Sequence, residues 1–345
     1  MHRTRTCLAV GLGLALSLGF LMARADEASV PPPGTEGLRL RVERLVQDVE
    51  GQLGVAARHL ESGREMTLNG DVFFPLASVF KLPVLVELMA QVEEEHLSLD
   101  EEISLQVSDQ HLGSGLISDL TVPGITLSLR NLSRLMMMIS DNSATDIVLA
   151  RVGADNVNSR LRFFGIDDIR VDRSCQRLIM DAVGLEADLY ENKPLEEVLT
   201  AFAELEKNDP EAVIRAQRGF SSVLKDQGTP RAMNRLLEMI YRKEILDPAA
   251  CEDILNLMAK CQTGESRIKG SLPVGTPVAH KTGTIGGTVN DVGIITLPHG
   301  RGHVALSVLS KDTTLKTAEI EKLIAEIARL AFDYFFFTAQ LPAEH

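Results

Sequence analysis

The chain has few aromatic residues, few cysteines and no excess of positive charge. Its 345 residues include no tryptophan, three tyrosines and four cysteines, and 48 acidic residues outnumber 35 basic ones. Because no basic patch is interleaved with aromatic residues, the sequence excludes nucleic acid as a partner. At 45% hydrophobic residues the chain fills a large core, which excludes a globally disordered protein.

The cysteines predict neither a disulfide framework nor a metal site. Apart from Cys7, near the N-terminus, the chain has Cys175, Cys251 and Cys261, an odd number that leaves at least one thiol free. Residues 253–260 have a helical pattern, and ten helical residues separate the last two cysteines by ~15 Å, beyond the ~7 Å Cα–Cα limit of a disulfide. No cysteine–histidine cluster has zinc spacing. We therefore expect buried thiols, no metal and no cofactor.

The N-terminal segment has the pattern of an export signal. Arg3 and Arg5 precede an apolar run over residues 7–22, and residues 23–25 read Ala-Arg-Ala, a typical cleavage site. We interpret residues 1–25 as a signal peptide and residues 26–37 as a linker; an uncleaved anchor is the minor alternative. Removing three arginines and no acid changes the formal net charge from −13 to about −16. We expect a periplasmic or secreted monomer with no membrane span after cleavage.

The remaining pattern predicts an α/β (α+β) fold. Residues 38–49 and 315–337 have helical periodicity, whereas residues 53–59, 65–68, 277–280, 292–297 and 304–309 read as strands. We expect an antiparallel five-stranded sheet flanked by the terminal helices, built from residues 38–75 and 275–337, with an inserted all-α lobe over residues 76–274. In that lobe Ser128 is the expected N-cap of one helix and Ser143 of the next.

The most informative stretch lies at the start of this lobe. Ser78 follows a proline-containing segment and leads into a dense apolar run, so we expect a helix to begin at Ser78 with Lys81 on the same face. A serine needs an adjacent base to act as a nucleophile at neutral pH. A helix N-terminus also offers free N–H groups to an oxyanion. Alone, a serine three residues before a lysine is weak evidence.

Two further motifs strengthen the case. Downstream of Ser78 and Lys81, the chain contains Ser140-Asp141-Asn142 and then Lys281-Thr282-Gly283. The three motifs have the order and approximate separation of the S-x-x-K, S-D-N and K-T-G set of the penicillin-recognising serine hydrolases. The chain therefore resembles a class A β-lactamase. The resemblance extends over residues 53–311. It includes Gly113-Ser114-Gly115, Thr229-Pro230-Arg231, Thr263-Gly264, Arg267-Ile268, Leu272-Pro273 and Asn290-Asp291.

The resemblance implies a role for each motif residue. Ser78 is the implied nucleophile of an acyl-enzyme, Lys81 the leading base for acylation, and Ser140, helped by Lys281, the proton relay to the leaving nitrogen. Asn142 is implied to hold the substrate amide. The substrate carboxylate is implied to bind the Thr282-Gly283-Thr284 strand, and the N–H groups of Ser78 and Thr284 are implied to form an oxyanion hole.

The match fails at one catalytic position. Class A enzymes carry a glutamate that activates the deacylating water, whereas here Cys175 stands in that register, and a thiol does not replace a carboxylate as a base. An unusually long segment, residues 182–227, follows, in which residues 195–207 look helical. Asp181, Glu186 and Glu191 are candidate substitute carboxylates. An arginine near Asp291 for carboxylate binding is not evident.

Three functions therefore stay open. The leading one is a secreted serine hydrolase that opens β-lactam amides. The second is a D-Ala-D-Ala peptidase or related acyl hydrolase on the same scaffold, acting on a peptidoglycan-like substrate. The third is a slowly deacylating protein that acts as a β-lactam-binding protein or sensor.

Overall fold

The computed structural model describes residues 34–339, so the predicted signal peptide and most of the linker lie outside the described residues. Twelve α-helices are present in this part of the chain. They are α1 (Glu36–Val46), α2 (Lys81–Glu93), α3 (Leu129–Met138), α4 (Asn142–Val152), α5 (Ala154–Phe163), α6 (Cys175–Val183), α7 (Ala187–Tyr190), α8 (Leu195–Asn208), α9 (Pro210–Phe220), α10 (Pro230–Tyr241), α11 (Pro248–Ala259) and α12 (Thr317–Thr338).

The described residues form nine strands: β1 (Gln52–His59), β2 (Glu65–Leu68), β3 (Phe74–Pro75), β4 (Glu102–Ser104), β5 (Thr126–Ser128), β6 (Gln227–Gly228), β7 (Val278–Ile285), β8 (Thr288–Thr296) and β9 (His303–Lys311). Five of them form a sheet in the order β2-β1-β9-β8-β7 that is antiparallel throughout, which confirms the predicted fold class. Two small two-stranded sheets pair β3 with β6 and β4 with β5.

Two apolar cores lie against the large sheet. One contains residues of α1 and α12, such as Leu38 and Ile324, together with sheet residues such as Val55. The other contains residues of α2, α3, α4, α10 and α11 with sheet residues such as Val292. Burying apolar side chains between sheet and helices is the main stabilising contribution in such a layered fold. The division into lobes at residues 75/76 and 274/275 stays a prediction.

Several helix boundaries follow local capping chemistry. Ser128 caps α3 by accepting a hydrogen bond from the Asn131 N–H, as predicted, and Thr229 caps α10 with Pro230 as its first residue. The prediction for Ser143 is wrong: α4 begins at Asn142, and Asp141 is its cap. The linker also ends earlier than predicted, because α1 starts at Glu36.

The segment around Ser78 begins with a tighter turn than predicted. Residues Ala77–Phe80 form a 3₁₀-helix, and the α-helix starts only at Lys81. Pro83 therefore lies in the first turn of α2, where its missing N–H has no intrahelical partner to lose. The turn leaves Ser78 half-buried, whereas its neighbours Ala77 and Val79 are buried.

Candidate active site

The turn that carries Ser78 is held in an unusual backbone conformation. Ala77 has a φ of +47°, in the left-handed region that L-residues rarely adopt. Opposite it, Gly283 of β7 approaches so closely that a Cβ there would lie 2.5 Å from the Leu76 carbonyl oxygen and 3.1 Å from the Ser78 nitrogen. Only glycine permits this approach, which places the β7 backbone beside the nucleophile turn.

A buried asparagine fixes the segment before this turn to the sheet. Asn290 of β8 donates hydrogen bonds from Nδ2 to the carbonyl oxygens of Pro75 (2.8 Å) and Leu76 (3.0 Å). Its Oδ1 accepts from the Ser310 N–H at 2.9 Å. Because all three bonds are shielded from water, they hold Ser78 in a defined position relative to the sheet.

Lys81 lies fully buried among polar groups. Its Nζ donates to the Ser140 carbonyl (2.7 Å), to Ser140 Oγ (3.2 Å) and to Asn142 Oδ1 (2.7 Å). Burial lowers the pKa of this amine below its usual range, against opposing contributions led by Cys175. A lowered pKa increases the fraction of neutral amine, the form in which a lysine accepts a proton.

A second buried lysine meets the same serine. Lys281 Nζ donates to Ser140 Oγ at 2.9 Å and to the Thr282 carbonyl at 2.9 Å. Burial, followed by repulsion from Lys81, lowers the pKa of Lys281 to about 7. The Ser140 hydroxyl therefore bridges two amines, a geometry in which it can receive a proton from one side and pass one to the other.

The loop with Ser140 is braced by a glycine-rich segment. Ser140 itself has a φ of +60°. The Asn142 side chain donates from Nδ2 to the Leu112 carbonyl at 2.7 Å, and a Cβ on Gly113 would lie 2.4 Å from that nitrogen. Ser114 Oγ donates to the Ser140 carbonyl at 2.8 Å. The Gly113-Ser114-Gly115 segment thus packs directly against the second motif.

A cavity of about 340 Å³ opens in front of these groups. Its lining includes residues of all three motifs and the neighbouring Ala77 and Thr284, namely Ala77, Ser78, Phe80, Ser140, Asn142, Thr282, Gly283 and Thr284. Among the described residues, the Ser78 hydroxyl has no hydrogen-bond partner, so its oxygen is available to a bound molecule. The oxyanion hole of Ser78 and Thr284 N–H groups stays a prediction.

One end of the cavity is suited to an anion. Thr263, Thr282 and Thr284 line it together with Arg267, whose Nη2 donates to Thr284 Oγ1 at 2.7 Å. The Ile268 N–H donates to the Asp291 carboxylate at 3.1 Å, which places Arg267 near that residue. Sequence reasoning missed the role of Arg267, although the residue belongs to a matched motif. Its side chain is held by contacts with Gly283, Thr284 and Asn290, which lie 16 to 23 residues further along the chain.

Cys175 lies in the cavity wall as the first residue of α6. The Asp146 carboxylate accepts hydrogen bonds from the N–H groups of Cys175 (2.6 Å) and Gln176 (3.0 Å), which fixes the start of this helix. The thiol is 4% exposed, and burial raises its pKa well above the usual range. It is therefore neutral at physiological pH and a poor base.

The three candidate carboxylates point elsewhere. Asp181 forms an ion pair with Arg173 at 2.7 Å, and Glu191 forms one with Arg177 at 2.9 Å. Glu186 is exposed at the start of α7. None of the three lines the cavity that contains Ser78. The structure thus brings the motif residues together and leaves these three outside.

The residues 182–227 form a helical layer next to the site. The predicted helix over residues 195–207 is confirmed as α8, and α9 packs on α6. Phe220 at the end of α9 lies under the Arg173 guanidinium, 5.4 Å from the ring centroid, and Arg173 also pairs with the buried Asp226. The added segment is therefore anchored to the loop that leads into α6.

Known proteins are similar to this chain over most of its length. The β-lactamase VEB-1 of Pseudomonas aeruginosa is 27% identical over 312 residues, covering 87% of this chain and 91% of that protein. The crystal structure of a β-lactamase from Chitinophaga pinensis matches with a TM-score of 0.69 and 29% identity, covering 86% of this chain and 99% of that one. The TLA-3 extended-spectrum β-lactamase matches with a TM-score of 0.70 and 27% identity, covering 88% of this chain and all of that one.

The family model of the β-lactamase enzyme family matches residues 37–335, which include every motif residue described above. Together with the five-stranded sheet and the shared order of the three motifs, this match shows the family. The chain belongs to the β-lactamase enzyme family, of the class A type.

Proposed function

We propose that this protein is an exported serine hydrolase that opens β-lactam amides through an acyl-enzyme on Ser78. The observation that carries the proposal is the connected set of Lys81, Ser140 and Lys281 beside the free Ser78 hydroxyl. Neutral Lys81 takes the Ser78 proton as the oxygen attacks the lactam carbonyl. Ser140 then delivers a proton to the lactam nitrogen as the C–N bond breaks, and Lys281 resupplies it.

The substrate is oriented from the anionic end of the cavity. A β-lactam carboxylate suits the three threonine hydroxyls and the charge of Arg267 and Lys281, because charged hydrogen bonds are stronger than neutral ones. Ser78 lines the same cavity, so a lactam held there by its carboxylate would share the cavity with the nucleophile. No helix of the described residues is long and apolar enough to cross a membrane. Export itself follows from the sequence pattern of residues 1–25.

The test is a burst experiment with benzylpenicillin, read as loss of lactam absorbance. We expect a burst that approaches one lactam opened per protein molecule, followed by a slower phase. The Ser78→Ala variant removes the nucleophile and eliminates the burst. Absence of a burst and of any turnover in the wild type, with the fold intact, would contradict the proposal.

A second function is favoured by Cys175. Because no carboxylate of the described residues lines the cavity beside Ser78, the same acyl-enzyme chemistry fits a D-Ala-D-Ala peptidase-like reaction, whose peptide substrate also ends in a carboxylate. Release of D-alanine from a diacylated Lys-D-Ala-D-Ala peptide tests it. Release at a rate well above that of penicillin turnover favours the peptidase, and no release leaves the β-lactam reaction.

A further inference from the structure

His111 lies in the loop that leads to Gly113 and Ser114 of the cavity wall. Its Nδ1 lies 2.6 Å from Asp146 Oδ2 on α4, and its Nε2 lies 3.1 Å from the Ser108 carbonyl oxygen. The side chain is 15% exposed, so the ring can exchange protons with solvent. The ring therefore joins its own loop to α4.

The hydrogen-bond partners of the ring define its protonation state. A backbone carbonyl only accepts hydrogen bonds, so Nε2 carries the proton that it donates to Ser108. Asp146 also accepts the N–H groups of Cys175 at 2.6 Å and Gln176 at 3.0 Å, and a carboxylate that accepts several N–H groups is held in its ionised form. An ionised carboxylate likewise only accepts, so Nδ1 carries a proton as well. With both nitrogens donating, His111 is an imidazolium.

The charges around the ring favour the same state. Burial opposes the charged ring, but the hydrogen bond to Asp146 and its charge outweigh burial and raise the pKa of His111 above its usual value of 6.5. Asp109, on the same loop, acts in the same direction. The Asp146 carboxylate is only 4% exposed, and the Lys81 amine of α2 also attracts it. The imidazolium is thus the hydrogen-bonded countercharge of a buried carboxylate, and removing such a partner is costly.

The same loop contacts the groups that face the substrate. The Leu112 N–H donates to Gln176 Oε1 at 2.8 Å, which ties the loop to the start of α6. The Leu112 carbonyl accepts a hydrogen bond from Asn142 Nδ2 at 2.7 Å. Next to it, the His111 N–H donates to Ser143 Oγ at 2.9 Å. The position of the Asn142 side chain in the cavity therefore depends on the position of this loop.

We propose that His111 is a positioning residue that, as an imidazolium, holds the 108–113 loop and the start of α6 on Asp146 and so keeps Asn142 in place for the substrate. This inference rests on the proposed function, because the substrate is that of the proposed reaction. When the ring loses a proton, the tautomer with Nδ1–H keeps the bond to Asp146. Its Nε2 lone pair then faces the Ser108 carbonyl oxygen, and that bond is lost.

The sign of the pH dependence follows from the direction of the shift. Because the pKa of His111 in the folded protein lies above 6.5, the contribution of the imidazolium is present below that value. It is lost as pH rises through the raised pKa. One hydrogen bond contributes about 3- to 10-fold to an equilibrium constant. We therefore expect substrate binding to weaken by up to about 10-fold once the ring is neutral.

The first experiment compares the wild type with His111→Asn, whose amide N–H takes the place of Nδ1–H and does not titrate. Acylation is measured over a range of benzylpenicillin concentrations from about pH 5.5 to about pH 9, which separates the dissociation constant of the substrate from the acylation rate constant. We expect the dissociation constant of the variant to be up to about 10-fold that of the wild type at the lowest pH. This ratio falls to one as the wild-type ring loses its proton. Titration of Lys281 is common to both proteins and cancels in the ratio.

His96→Asn is the matched control. His96 Nδ1 also lies beside a carboxylate, 3.4 Å from Glu94, but this side chain is 70% exposed and does not line the cavity. Its ratio stays at one at every pH. A His111→Asn ratio of one throughout overturns the proposal. A ratio raised equally at every pH, which is what a purely structural role requires, also overturns it.

A readout without substrate separates this proposal from the proposed function and needs only the wild type. In protein labelled with ¹⁵N at the histidine rings, we expect the His111 signals, assigned through the backbone, to show both nitrogens protonated and to titrate above pH 6.5. A ring that is already neutral at that pH overturns the proposal even if benzylpenicillin acylates Ser78. An imidazolium in a protein that is not acylated overturns only the proposed function.

Discussion

A carboxylate introduced at position 175 tests the prediction that the missing base makes the proposed acyl-enzyme long-lived. Cys175 lines the cavity at 4% exposure and interacts with the Lys81 amine. A Cys175→Glu variant places a base where the thiol has a raised pKa and accepts no proton. A positioned general base contributes about 10²–10⁴-fold, so we expect deacylation of the penicilloyl enzyme to accelerate within that range.

The Cys175→Glu substitution is also expected to change the stability of the protein and the pKa of Lys81. The longer side chain enters a filled wall, and overpacking of this kind typically destabilises a protein by about 1–3 kcal/mol. A carboxylate next to Lys81 favours its charged form, so the pKa of Lys81 rises and the acylation rate shifts its pH dependence upward. Thermal unfolding of the variant checks that the fold persists during the assay.

The assay acylates each variant with benzylpenicillin, removes the excess and follows the loss of the adduct by intact mass. Cys175→Gln is the matched control, because glutamine has nearly the same size as glutamate and no basic oxygen. Acceleration in the glutamate variant alone supports the reasoning. Equal deacylation rates in the two variants would refute it, because the missing base would then not limit the reaction.

Further predictions concern the other groups near the cavity. Asp181→Asn, Glu186→Gln and Glu191→Gln leave the deacylation rate unchanged in the same mass assay, since none of the three lines the cavity; a slower rate in any of them assigns that residue as the base. Gly283→Ala lowers the acylation rate 10-fold or more and destabilises the fold by about 1–3 kcal/mol, because its Cβ would lie 2.5 Å from the Leu76 carbonyl oxygen. A wild-type acylation rate and melting temperature in this variant would contradict the close contact. As pH rises through about 7, Lys281 loses its proton, so we expect the rate of acylation by carboxylate-bearing penicillin to fall. The free energy of unfolding rises over the same pH range and up to the pKa of the unfolded lysine, because the unfolded state then binds more protons. A Lys281→Met variant whose rate and stability follow the wild-type pH profile contradicts this assignment.

The fold was largely predictable because its signals are local. The strands β1 and β2 are joined by a short turn that contains Gly63. Ser128 and Thr229 are strong caps that act on the helix they precede. The same local logic gave the wrong cap for α4. Asp141 competes better than Ser143, because its carboxylate also accepts the N–H groups of Leu116 and Ile117, a long-range contact that the sequence does not reveal.

The motifs in the sequence predicted which residues form the site, but not how their side chains contact one another. Spacing identified Ser78, Lys81, Ser140 and Lys281 as candidates, but not that Ser140 bridges the two amines. Arg267 escaped attention because its guanidinium reaches the site only through the fold.

The candidate carboxylates that follow Cys175 show why nearness in sequence did not identify a catalytic base. Sequence reasoning offered Asp181 and Glu191 because they follow Cys175 closely, and the structure pairs each with an arginine outside the cavity. Ion pairs of this kind satisfy the charge locally and keep the side chain in place. Proximity along the chain was therefore no guide to proximity in space.

The central claim is that Ser78 forms an acyl-enzyme that Cys175 fails to hydrolyse quickly. Intact mass of the purified protein, followed over time with benzylpenicillin, measures this most directly. The account predicts an adduct of one penicillin per protein that persists after excess substrate is removed and is absent in Ser78→Ala. Sustained turnover with no accumulated adduct would contradict the claim for Cys175, and an adduct that forms equally in Ser78→Ala would contradict the claim for the nucleophile.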